Sequence, residues 1–195
     1  MPWQPPDTPP RPSAFRGASF RVSSTVRRCL LLLFAAVVPP SAAAVEPYRV
    51  HGIMLLQPDF VLQQRAPSAE AVSGYIKAVQ EAAEGALAAE PPSPASGHLV
   101  LAVRPDGRSM AWLDFRPALP APTAARLLSA IRGVPPFEAR NGVVVFALNA
   151  TLWEAAPTRG FPDPAEWRKA MEGHDEPREI GDLVDEIWPP DAPAP

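Results

Sequence analysis

Thiol chemistry is nearly absent from this chain. One cysteine, Cys29, stands among 195 residues, so no internal disulfide and no multi-cysteine metal site can form. Histidine is almost as scarce, at three. His51 and His98 stand at expected strand starts, and His174 lies in the acidic run "EGHDE"; none has the HxH or HExxH spacing of a metal site. No serine sits in a G-x-S-x-G elbow, and neither a P-loop nor a dinucleotide-binding glycine pattern occurs. Lysine and arginine are not clustered as nucleic-acid binding requires. No apolar run approaches the ~20 residues of a membrane-spanning helix. These absences exclude the common catalytic kits, and no cofactor or metal is expected.

Proline is what the chain has in excess, at 28 residues. The prolines gather at the two ends and in a few connectors, as in ordered segments joined by stiff links. Charge is unevenly spread. Five arginines and one aspartate precede residue 45, whereas residues 163–195 hold ten acidic and three basic side chains. Without its first 44 residues the chain carries 13 basic and 20 acidic groups, a net charge of 13 - 20 = -7.

Residues 26–44, "VRRCLLLLFAAVVPPSAAA", read as a secretory signal peptide. A basic pair precedes a ten-residue apolar stretch, and Pro39-Pro40 and small residues follow. Ala42-Ala43-Ala44 supplies an A-x-A cleavage pattern, with cleavage expected between Ala44 and Val45. Cys29 precedes the apolar run, which does not suit lipidation, and it leaves with the signal. Residues 1–25 are proline-rich and poor in large apolar side chains, so they are expected to be disordered, or untranslated if initiation occurs at Val26. The expected location is periplasmic or secreted, with no stable membrane span after cleavage. Asn149-Ala150-Thr151 forms a glycosylation sequon, which carries no meaning in the bacterial setting that the signal suggests.

Residues 45–189 are expected to form a single α+β domain, and residues 190–195 a proline-rich tail. Its order is β-α-β-β-α-β-α-α, with one antiparallel-rich sheet packed by helices. The first strand covers about residues 49–56, and a second short strand is expected at 60–64 after Pro58-Asp59. Ser68 is a helix N-cap, and Val72, Tyr75, Ile76, Val79, Ala83, Ala86 and Leu87 repeat at helical spacing after it. "HLVLAVR" and "SMAWLDF" flank a Pro105-Asp106-Gly107 turn. The first of these strands is apolar on both faces, so it should be central. A helix follows from about Pro122 to Arg132, with Leu127 and Ile131 on its buried stripe. An Asn141-Gly142 turn leads into a strand at about Val143 to Trp153. Asp163 with Glu166 suggests a capping box for the next helix, and a last short helix carries Ile180, Leu183, Val184, Ile187 and Trp188. Trp112, Trp153, Trp167 and Trp188 are expected to pack in the core, and Asp114 to face solvent.

The stretch from His98 to Trp153 resembles the C-terminal domain of TonB-type energy transducers. The shared order is strand, Asp-Gly turn, strand, helix, a proline-containing link and a final strand. Pro136, Arg140, Asn141 and Gly142 stand where that family carries a similar element before its last strand. The resemblance implies a ββαβ arrangement and a sheet edge that accepts a partner strand, placed around Val143, Val144, Val145, Phe146, Ala147 and Leu148. It points to an exported, non-enzymatic interaction module of the bacterial cell envelope with a protein partner. Two alternatives stay open: a secreted hydrolase with a site built from residues such as His98 and Asp114, and a structural or inhibitory secreted protein.

Overall fold

A computed structural model of the chain describes residues 45–173 and 178–188. The signal peptide with Ala44, the N-terminal extension, His174 and the tail lie outside the described residues. Nine elements follow in order: β1 (Arg49–Leu55), α1 (Asp59–Arg65), α2 (Ala69–Leu87), β2 (Ala95–Val103), β3 (Ser109–Arg116), α3 (Ala121–Arg132), β4 (Val144–Leu152), α4 (Ala165–Met171) and α5 (Ile180–Ile187). The α+β class and the antiparallel sheet covered by helices are as expected. Among the described residues no helix is long and apolar enough to cross a membrane.

The four strands lie in the order β1-β4-β2-β3, and every pairing is antiparallel. β2 is central, and its two apolar faces serve two separate cores. Leu99, Leu101 and Val103 face one way, with Phe146, Leu148 and Leu152 of β4, and meet Tyr75, Ile76, Val79 and Leu87 of α2 and Leu127 and Ile131 of α3. Val100 and Ala102 face the other way, with Val145 and Ala147, and meet Trp167, Leu183, Val184 and Trp188 from α4, α5 and its cap. The strand period of two and the helix period of 3.6 thus produce three layers, with the sheet in the middle. Trp112, Trp153, Trp167 and Trp188 are all buried in these layers, as packing residues.

Local signals act where the sequence places them. The Ser68 hydroxyl accepts from Ala71 N at 3.2 Å and caps α2. At the β2–β3 turn Gly107 takes φ +76°, and Asp106 Oδ1 accepts from Arg108 N at 3.0 Å. Asn141 and Gly142 both adopt positive φ, at 56° and 130°. Two local expectations need correction. Residues 59–65 form a helix, not a short strand: the Pro58 carbonyl accepts from Val61 N and Leu62 N and starts the turn. The capping box at Asp163 is also not made. α4 starts at Ala165 with Pro164 as its N-cap and no side-chain cap bond, and the Asp163 carboxylate pairs with Arg168 at 3.1 Å.

Candidate functional site

The expected strand edge is not an edge. β4 lies between β1 and β2: Phe146, Ala147 and Leu148 pair on both sides, Val144 and Val145 pair with β2, and all five are buried. Val143 just precedes the strand and is also buried. Side chains cover what β1 leaves open there. Gln57 Oε1 accepts from Val145 N at 3.0 Å, and Arg65 Nη1 donates to the Val143 carbonyl at 3.0 Å. The physical reason is that "VVVFAL" is apolar at every position, and such a strand loses least when both faces and both edges are covered.

The free edge belongs to β1 instead. It is the terminal strand of the sheet, and among the described residues no strand lies on its outer side. Leu56 N donates to the Val145 carbonyl, one step beyond the last register pair, Leu55 with Phe146. Inward bonding therefore falls at Leu56, Met54 and Gly52, and the alternation of an antiparallel ladder turns the backbone N–H and C=O of Ile53 and Leu55 outward. The register shifts between Val50 and Gly52, which makes His51 the extra residue of a bulge. Its Nε2 lies 2.8 Å from Thr151 Oγ1.

The side chains of this edge are apolar and half exposed, Ile53 at 52% and Leu55 at 53%. They form one wall of a groove of about 450 Å³. Leu62, Val72, Ile76 and Phe146 supply its floor and far side. The polar side chains at its rim, Gln63, Ser68 and Ser73, are uncharged. Phe60, 65% exposed, stands on α1 two residues before Leu62. A cleft of this size and lining suits aliphatic side chains. On the opposite face of β1 a shallower groove of about 380 Å³ runs past Gly52, Met54, Asn149 and Arg159. A Cβ on Gly52 would meet nothing within 4 Å, so that side of the strand is open.

The polar residues considered for hydrolysis do come together. His98 stands opposite Asp114 on one side and Asn149 on the other. However, His98 is only 3% exposed, and Asn149 Nδ2 lies 3.3 Å from its Nε2. The same Asn149 amide donates to the Thr158 carbonyl at 3.1 Å. Asp114 does not simply face solvent: its Oδ2 accepts from Asp163 N at 2.8 Å. The row thus ties both ends of residues 158–163 to the sheet, while Phe161 between them is 81% exposed. Burial pushes the His98 imidazole below its ordinary pKa, against the opposing pull of Asp114. Asn149 and Asp114 are occupied as loop anchors, and His98 between them is buried.

A third polar feature closes the second core. The buried Arg104 guanidinium bonds Asp185 Oδ1 at 2.6 Å and the Trp188 carbonyl, and lies 4.3 Å from the Trp188 ring centroid. It ties the β2–β3 turn to the end of α5. Among the described residues no three His, Cys, Asp or Glu side chains converge as a metal would need.

No family model, no curated protein and no solved structure matches the chain.

Proposed function

We propose that the chain is an exported, non-enzymatic interaction module of the bacterial cell envelope that receives an extended segment of a partner protein along β1. One observation carries the reading: the outward backbone groups of Ile53 and Leu55 stand beside an apolar groove that their own side chains wall. Exposed apolar edge strands invite pairing, and proteins without a use for them place charge or proline there or cover them. The other edge is blunted in this way. Arg132 Nη2 caps the Ala111 carbonyl of β3 at 3.1 Å, and Pro117 follows the strand. β1 has no comparable cover among the described residues. Strand addition takes affinity from backbone bonds and selectivity from pockets for alternate side chains, and β1 offers both. The likeness to the TonB C-terminal domain supports the same mode of binding, on a different strand from the one it implied. The signal-like residues 26–44 support the location.

Ile53→Pro tests this reading. The Ile53 N–H points outward, so proline there removes a donor for a partner and no ladder bond to β4. The immobilised protein is panned against displayed random decapeptides. Peptides are expected that bind the wild type and lose about tenfold or more on the folded I53P variant. Recovery of no peptide, or of peptides indifferent to I53P, would sink the reading.

A further inference from the structure

The two faces of β1 differ in chemistry, and the difference specifies the strand that fits. On the groove face, Ile53 and Leu55 meet aliphatic side chains and uncharged rim groups. On the other face, the open space over Gly52 is bordered by Arg159. Arg159 is exposed and makes no ion pair among the described residues. Every existing ladder of the sheet is antiparallel, the geometry that is slightly more stable per residue.

From these features, and resting on the strand-addition reading, we infer that the partner segment runs antiparallel to β1 with the pattern apolar-x-apolar-acidic. Its first apolar residue lies opposite Leu55 and its second opposite Ile53. Both positions share the bonding pairs of the outer ladder, so both side chains fall on the groove face. The intervening residue lies opposite Met54, on the far face. The fourth lies opposite Gly52 on that same far face. The missing side chain there leaves room for a carboxylate to approach the Arg159 guanidinium. Apolar groove and exposed cation thus complement a segment with alternating apolar residues and one negative charge.

The probe is a fluorescein-labelled peptide, Ser-Thr-Leu-Thr-Val-Asp-Thr-Ser, titrated against the full chain at low salt. Three peptides of near-identical composition serve as controls. In one, Leu and Val are adjacent, so they point to opposite faces. In another, Leu-Thr-Val-Asp is written in reverse, which suits a parallel partner. In the third, lysine replaces the aspartate. The adjacent arrangement should bind about tenfold or more weakly, because one aliphatic side chain leaves the groove. The lysine peptide should bind about threefold weaker, an exposed charge pair being worth little, and Arg159→Glu should reverse that preference. Equal binding of the first two peptides would overturn the alternation. Tighter binding of the reversed peptide would overturn the antiparallel direction. A charge preference unchanged by R159E would overturn the acidic position. Peptides from panning that depend on Ile53 but lack the pattern would overturn this inference and leave strand addition standing. Sedimentation provides the remaining arm. A dimer that I53P dissociates would overturn the proposal, because the edge would then belong to a second copy.

Discussion

At the scale of single residues, the chain spends its few polar core groups on anchoring. His98 is the clearest case. An amide nitrogen can only donate, so Nε2 of His98 accepts from Asn149 and must be unprotonated in that bond. Asp114 of β3, with Arg116 beside it, and Asp163 of the tethered loop, paired with Arg168, are the charged groups nearby. The folded-state pKa of His98 lies below 6.5, so below that pH the unfolded chain binds more protons than the folded one. Stability should therefore fall as pH drops through the range below 6.5. Urea midpoints at pH 7.5 and 5.5 check this, and His98→Gln should flatten the difference. A slope unchanged by that substitution would assign it to other groups. The sequence showed His98 and Asp114 only as separate residues of two strands. Their register across the hairpin is what makes them neighbours.

At the scale of elements, the β2–β3 hairpin shows how closely a pair can be set. A Cβ on Gly97 would lie 1.9 Å from the backbone oxygen of Asp114, far closer than a non-bonded carbon and oxygen tolerate. Backbone cannot swing aside as a side chain can, so the ladder itself would have to shift. Gly97→Ala should cost about 3 kcal/mol, read from denaturant midpoints, whereas Gly52→Ala in the open space of β1 should cost far less. Helix positions were legible because the 3.6 period and Ser68 act locally. The α1 helix was not: seven residues carry too few turns to show a period, and Pro58 reads as a strand breaker as readily as a helix start. The edge expected at β4 conflicts with a signal in the sequence itself: both faces of "VVVFAL" are apolar, the same pattern that makes β2 central.

At the scale of the whole molecule, one sheet separates two apolar layers, and neither layer closes without it. α2 and α3 cover one face, and α4, α5 and the Arg104 tie to Trp188 cover the other. Trp112 and Trp167 meet edge to face at 5.7 Å in the second layer, and Trp153 packs in the first. Because β2 and β4 contribute to both, the layers should unfold together. Tryptophan fluorescence and far-ultraviolet circular dichroism should give coincident urea transitions. Two separated transitions would show that the α4–α5 layer peels off independently. Sequence alone determined the α+β class, the strand and helix periods, the turns at Gly107 and Gly142, and the central place of β2, since each depends on neighbours within a few residues. Tertiary structure alone decided which strand stands at the edge, because that depends on pairing between segments about a hundred residues apart. It moved the candidate site from β4, which is buried on both sides, to β1, whose outward backbone and half-exposed aliphatics no other described strand covers.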